Sequence, residues 1–203
     1  MIDPNAAADI ADALARTGVA LRAGFLAPDL VLGLAHESRT AFLAGRFHAA
    51  GVGMGETRVL RPDVRGDYIW WFDTPGSEVR RAYLAQMEAL RFALNERLFL
   101  GLLDYACHFA LYPPGGLYQR HVDRFRGDPR RAVSAVLCLN ETWESGWGGN
   151  LRLFESERAD SPYRDVASQG GTLVCFLGDS VAHEVLPTTH ERLSLTGWFR
   201  WRT

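Results

Sequence analysis

Two periodicities divide the chain. Over the first hundred residues apolar positions recur at helical spacing, and after Gly101 they alternate with a period of two. Ala, Ile and Leu positions predict an amphipathic helix from an Asn5 cap through Arg16, and "GVALRAGFL" reads as a short strand. A second helix is expected over "APDLVLGLAHESRTAFLAGRF", with Pro28 near its start, where a missing N–H costs nothing. "SEVRRAYLAQMEALRFALNERLFLG" gives the strongest helical pattern, with Ser77 as its cap and Gly101 as its stop. Between the last two lies the Gly-rich stretch from His48 to Gly76, with weak strand character and many turn signals. Such long irregular stretches are often functional.

Beyond Gly101 the strand candidates are "YACHFALYP", "LYQRHVD", "RAVSAVLCLN", "GNLRLFE", "GTLVCFLG", "AHEVLP" and "RLSLTGWFRW". Short strands between Gly, Pro, Asn and Asp turns suggest a sandwich or jelly roll, and helices followed by strands suggest α+β layering. One domain over residues 1–203 is expected, with 1–101 as mainly helical support plus a loop near 50–76, and 102–203 as the β core.

Alternation also sorts faces, because residues i and i+2 of a strand point the same way. Arg192, Ser194, Thr196 and Trp198 share one face of the last strand, and Leu193, Leu195 and Phe199 the other. His108, Ala110 and Tyr112 share a face opposite Phe109 and Leu111. Ser134, Val136 and Cys138 share a face opposite Val133, Ala135, Leu137 and Leu139. Several strands thus carry one apolar and one mixed face, as a barrel with a semi-polar interior requires.

Composition narrows the function classes. At 47% hydrophobic and 23% charged, with a net charge of -2, the 203-residue chain has a globular balance and no basic surface for nucleic acid. All 22 basic residues are arginine. The three cysteines, Cys107, Cys138 and Cys175, lie in apolar runs without a CxxC pair, which argues against a disulfide framework or zinc ribbon. The N-terminus lacks a basic signal-peptide region, and no apolar run reaches spanning length. A soluble, cytoplasmic protein with no membrane partner is expected.

The mixed faces carry candidate chemistry. His121 and Asp123 form a His-x-Asp on one strand face, and His183 follows 60 residues after Asp123. Two histidines and one carboxylate suit non-haem Fe(II) with open positions for O2 and a co-substrate. Alone, the His-x-Asp equally suits a solvent-facing or locally hydrogen-bonded pair, and His36, His48 and His190 read as ordinary surface or helix residues. Arg192, nine residues after His183, sharpens the set: a buried guanidinium needs an anion and its fork matches a carboxylate. An internal salt bridge is the competing reading. Tyr112 and Thr196 offer hydroxyls on the same side. A zinc hydrolase would use similar ligands plus a water but would leave Arg192 unexplained.

"YPPGGLYQRHVD", "LCLNETWESGWGGNLRLF", "HEVLP" and "RLSLTGWF", with "VRGDYIWW" upstream, together resemble the 2-oxoglutarate/Fe(II)-dependent oxygenases in their prolyl-hydroxylase branch, over roughly residues 56–202. The resemblance implies a double-stranded β-helix, or jelly roll, buttressed by N-terminal helices. It implies iron held by His121, Asp123 and His183, with the distal carboxylate of 2-oxoglutarate on Arg192. Tyr112, Thr196, Leu151, Val185 and Trp198 match the co-substrate pocket. It also implies O2 as co-substrate, ascorbate as a supporting reductant, and a protein or peptide substrate met by Arg65, Asp67, Trp70, His108 and Arg131. Arg65 and Asp67 can pair with each other or with "RGDPRR". Cys138 stands where the oxygen-sensing members carry a second pocket tyrosine. His108 stands where they are usually apolar, and reads either as a satisfied core histidine or as a pocket hydrogen-bonding group. A free amino acid or small metabolite as substrate, or a non-catalytic oxygen or 2-oxoglutarate sensor, are the other readings.

Overall fold

The computed structural model describes residues 3–53, 59–73, 76–123 and 130–202. Three helices, α1 (Pro4–Thr17), α2 (Pro28–Leu43) and α3 (Glu78–Leu98), pack on one face of a large antiparallel sheet. That sheet has seven strands: β1 (Val19–Arg22), β2 (His48–Ala49), β3 (Tyr68–Trp71), β4 (Leu102–Tyr112), β6 (Arg131–Cys138), β9 (Leu173–Leu177) and β11 (Arg192–Trp201). Their order is β1-β9-β6-β11-β4-β3-β2. A four-stranded sheet faces it, in the order β5-β10-β7-β8, from β5 (Tyr118–His121), β7 (Leu151–Phe154), β8 (Tyr163–Val166) and β10 (His183–Val185). Two facing antiparallel sheets with helical backing are the jelly roll that the strand spacing predicts.

The alternation places the core. Leu193, Leu195 and Phe199 of β11, Phe109 and Leu111 of β4, and Val133, Ala135 and Leu137 of β6 all bury against the helices. There they meet Leu14 of α1, Leu34 of α2, and Met87, Leu90 and Leu94 of α3. Each Val, Leu, Met and Phe side chain among them contributes roughly 1.5–3 kcal/mol by leaving water. Gly197 sits on this face because a Cβ there would collide with the Tyr105 hydroxyl and Cys107. The freed space lets Tyr105 reach Tyr83 on α3, hydroxyl to hydroxyl at 2.6 Å. The opposite face meets the small sheet: Ala110, Tyr112, Val136 and Phe176 pack with Leu151, Leu153 and Val185.

Some expected boundaries move. Asp3, not Asn5, caps α1, because its carboxylate accepts the Asn5 N–H at 3.0 Å and Pro4 takes the first helical position. Ser77 caps α3 as expected, accepting the Arg80 N–H at 3.2 Å. That helix stops at Phe99, which adopts a left-handed φ of 53°, before Gly101. Asn95 fixes the corner by bonding both the N–H and C=O of Leu102, at 2.7 and 2.8 Å. The first hundred residues are also less purely helical than expected, since β1, β2 and β3 supply both edges of the large sheet. β8 was not expected; only Val166 of its four residues is buried. The irregular stretch from His48 to Gly76 is described except for residues 54–58 and 74–75, and four residues of "RGDPRR" (126–129) also lie outside the described residues. No helix among the described residues is long and apolar enough to cross a membrane.

Candidate metal centre and adjoining cavity

The small sheet brings the two histidines together. β10 pairs with β5 so that His183 stands opposite His121, and their rings lie 4.2 Å apart. Asp123 follows just beyond β5. Its Oδ1 lies 3.9 Å from His121 Nε2 and its Oδ2 3.7 Å from His183 Nε2. One ligand atom from each of the three falls within 4.8 Å of the others. The His121 Nδ1 donates to the Gln119 carbonyl at 2.7 Å, and the His183 Nδ1 to the Val181 carbonyl at 3.2 Å. A carbonyl only accepts, so each Nδ1 carries the proton and each Nε2 keeps its lone pair for a metal.

Asp123 is 6% exposed and accepts the Ser134 hydroxyl at 2.5 Å. Burial would raise its carboxyl, but the His183 and His121 rings, the Ser134 hydroxyl and Arg131 outweigh that and hold it below the usual carboxylate range. Burial and the neighbouring His183 lower His121 to about 3, so the ring is neutral, as a ligand must be. Tyr118 stacks on His121 with ring centroids 3.7 Å apart, and Arg65 lies over Tyr118 at 4.6 Å.

Arg192 lies at the other end of the cavity, opposite Tyr112 across the β11–β4 ladder. It is 1% exposed. Its Nε donates to the Gly149 carbonyl at 2.9 Å and to Ser168 Oγ at 2.8 Å, and its Nη1 donates to Ser194 Oγ at 3.2 Å. Nη2 is buried without a hydrogen-bond partner, and no described carboxylate forms an ion pair with this guanidinium. Among the described residues, the internal salt bridge is therefore not what the fold builds. Gly149 holds its carbonyl there with a φ of +61°, and a Cβ would press on Trp143 and Thr188. Asn140 joins the end of β6 to the start of β11, donating to Glu191 O at 2.7 Å and accepting from Leu193 N at 2.8 Å.

Between the ligands and Arg192 runs a narrow cavity. Tyr112, Val136, Leu151, Val185 and Thr196 line it, as do His108, Arg65 and Asp67. Trp198 stands beside it, 5.5 Å from His108, with Arg131 3.9 Å over its ring and 3.8 Å from Asp123. Arg65 and Asp67 pair with each other in two-point fashion, at 2.8 and 3.1 Å.

Two expectations need correcting. Trp70 points away from the cavity, stacking on Phe109 and beneath Arg80 among the helices. β3 alternates, and its register puts Trp70 opposite Phe109 and Trp71 opposite His108, so Trp71 is the tryptophan that faces inward. His108 is no satisfied core histidine. It is 1% exposed, and both ring nitrogens lack hydrogen-bond partners. Burial, then the nearby Arg65 and Arg131, hold its pKa well below the ordinary value, so the ring stays neutral. Sequence reading also missed Ser134, Ser168 and Tyr118 as supports of the site. Ser134 had a signal, its place on the mixed face, whereas Ser168 lies in irregular chain after β8 with no periodicity. His36, His48 and His190 are exposed, as expected.

Residues 107–200 match the family model described as the 2OG-Fe(II) oxygenase superfamily. A crystal structure of a prolyl-4-hydroxylase from Pseudomonas putida is 50% identical over 97% of this chain and all of that one, with a TM-score of 0.86. The chain belongs to the 2-oxoglutarate/Fe(II)-dependent oxygenase superfamily. Its members use Fe(II), 2-oxoglutarate and O2, and the His-Asp-His cluster is in place for the iron. The hypoxia-inducible factor prolyl hydroxylase of Caenorhabditis elegans is 30% identical over a 148-residue alignment that covers 68% of this chain. This chain spans about a fifth (20%) of that protein's length. A Trichoplax adhaerens prolyl hydroxylase, solved with a hypoxia-inducible factor peptide, shares the fold at a TM-score of 0.86 and 24% identity, covering 97% of this chain and 90% of that one.

Proposed function

We propose that this chain is an Fe(II)- and 2-oxoglutarate-dependent dioxygenase that hydroxylates a prolyl residue in a protein or peptide, releasing succinate and CO2. One observation carries the reading: a buried, acid-free Arg192 shares a cavity with three residues whose free ligand atoms converge. A hydrolytic zinc site needs no such cation. The 50% identity to a prolyl-4-hydroxylase over the whole of that chain favours proline as the target.

His121, Asp123 and His183 would hold iron, and Arg192 would take the far carboxylate of 2-oxoglutarate. Iron and co-substrate together supply the oxidising power that puts one atom of O2 into a C–H bond and the other into succinate. The chain's residues bind, orient and exclude water. Leu151, Val185 and Val136 make the walls apolar, Tyr112 and Thr196 offer hydroxyls, and Ser134 and the two backbone carbonyls fix the ligands' orientation. Arg131 and Trp198, beside Asp123, mark the end at which a peptide would enter. The Arg65–Asp67 pair occupies both side chains with each other, so it shapes the wall more than it contacts substrate. Three buried free cysteines suit a reducing compartment, and we place the protein in the cytoplasm.

The test is succinate formation from 2-oxoglutarate by anaerobically Fe(II)-loaded protein on exposure to O2, with and without proline-containing peptides. Peptide-stimulated turnover that Asp123→Ala reduces to the metal-free background is the expected result. Stimulation by free amino acids instead of peptides would move the substrate to small metabolites. Binding of metal and 2-oxoglutarate without turnover would favour the sensor.

A further inference from the structure

His108 is the one cavity group whose chemistry the reading above leaves unused. Its ring is clamped: Trp71 lies opposite on β3 with centroids 4.7 Å apart, and Trp198 flanks it at 5.5 Å. A neutral imidazole carries one donor and one acceptor, and folds rarely bury both without partners. Among the described residues, the other side chains at the cavity with a buried unpartnered polar atom are Arg192, which lines it, and Trp198, whose Nε1 stands beside it.

The two groups sit at opposite ends. On β4, Tyr112 pairs with Arg192 and His108 pairs with Thr196, four residues and about 13 Å further along the strand. Asp123 belongs to the His108 end. Its carboxylate bonds Ser134, Ser134 stands opposite Trp198, and Trp198 flanks His108. A dicarboxylate reaching from Arg192 to the metal ligands must therefore bring its metal-binding end beside His108.

We propose that His108 is a binding residue for the keto-acid end of the co-substrate, donating an imidazole N–H to the carboxylate that chelates the metal. This rests on the oxygenase reading. A 2-oxo acid uses one carboxylate oxygen and its keto oxygen in chelation. The second carboxylate oxygen remains an acceptor, and the His108 N–H suits it. Thr196 stands opposite His108 in the ladder. Co-substrate recognition is then two-ended, with a charged fork for the far carboxylate and a neutral donor for the near one.

The experiment uses the full chain loaded anaerobically with Fe(II). It measures the Kd for 2-oxoglutarate and, at saturation, the visible charge-transfer band of the Fe(II)–keto-acid chelate. His108→Leu should weaken 2-oxoglutarate about tenfold or more, the worth of a hydrogen bond to a charged group. It should also shift the band, because the chelating carboxylate loses its donor. Arg192→Gln should weaken binding yet leave the band in place. His108→Gln, which restores an N–H, should move both readouts back toward wild type and so separate a lost donor from a disturbed fold. An unchanged Kd in His108→Leu overturns the proposal, and so does a weakened Kd with an unmoved band. A wild-type protein that binds Fe(II) but forms no chelate with 2-oxoglutarate would instead overturn the oxygenase reading beneath it.

Discussion

The two faces of the large sheet are built from the same strands by different rules. Towards the helices, Phe109, Leu111, Leu195 and Phe199 are chosen for volume, and the polar groups buried on that side include the paired hydroxyls of Tyr83 and Tyr105, Ser38, and Arg80, which pairs with Glu37. Towards the small sheet, one residue along, stand His108, Ser134, Ser194 and Arg192, each buried and each directional. The first face holds the fold together. The second spends burial on directional groups, of which His108 and the Arg192 Nη2 are left without a partner and Ser134 bonds the candidate ligand Asp123. Substitutions should therefore separate stability from binding according to face.

The largest separation should come from Phe199→Ala. It leaves a cavity against the helices and should cost about 3–5 kcal/mol, read from denaturant unfolding. Mn(II) binding at the three ligands should survive wherever the protein remains folded. Loss of metal affinity in step with stability would mean that the faces are not independent.

Ser168→Ala is the converse. It removes one of two acceptors on Arg192 Nε, together with the hydroxyl that donates to the other, the Gly149 carbonyl, at 3.0 Å. Binding of 2-oxoglutarate should weaken about tenfold through a less firmly held fork, with stability changed by no more than about 1 kcal/mol. Equal affinity in the variant would show that Gly149 and Ser194 suffice to position the guanidinium.

The smallest effect is a pH slope. His108 is neutral in the fold because burial lowers its pKa, whereas in the unfolded chain it takes a proton as pH falls through about 6.5. The unfolded state then binds more protons, so this histidine costs stability progressively as pH falls, about 1.4 kcal/mol between pH 7.5 and 5.5. His108→Leu removes that share. Unfolding of the metal-free variant should vary less between these two pH values by that amount, and an unchanged slope would argue that His108 is protonated in the fold.

The same contrast explains what was legible in the sequence. Long strands announced their faces. Alternation in β4, β6 and β11 separated helix-facing from cavity-facing residues, and it put Arg192, Thr196 and Tyr112 on the right side. The ligand triad was legible from its spacing and from the motifs around it, since β5 and β10 are no longer than β3. Trp70 and Trp71 were not resolved, because a four-residue strand with adjacent tryptophans has no internal phase. Its pairing with β4 sets the phase, and that is a tertiary fact. Ser168 and Gly149 were invisible for a related reason: they grip Arg192 from irregular segments 24 and 43 residues away in sequence. β8 lacked an apolar stripe altogether, since it covers the outer edge of the small sheet and only Val166 turns inward.

The manner in which Arg192 is held has a thermodynamic consequence. Its described partners are a carbonyl and two hydroxyls, all neutral, so the fold buries a cation and leaves its counter-charge to be supplied from outside. Under the oxygenase reading the co-substrate dianion is that counter-charge, and it binds the folded chain only. By mass action, 2-oxoglutarate at a hundredfold over its Kd adds about 2.7 kcal/mol to the stability of the native state. The folded fraction, and with it the chain's resistance to proteolysis, then rises and falls with the supply of a central metabolite, before any substrate has been hydroxylated.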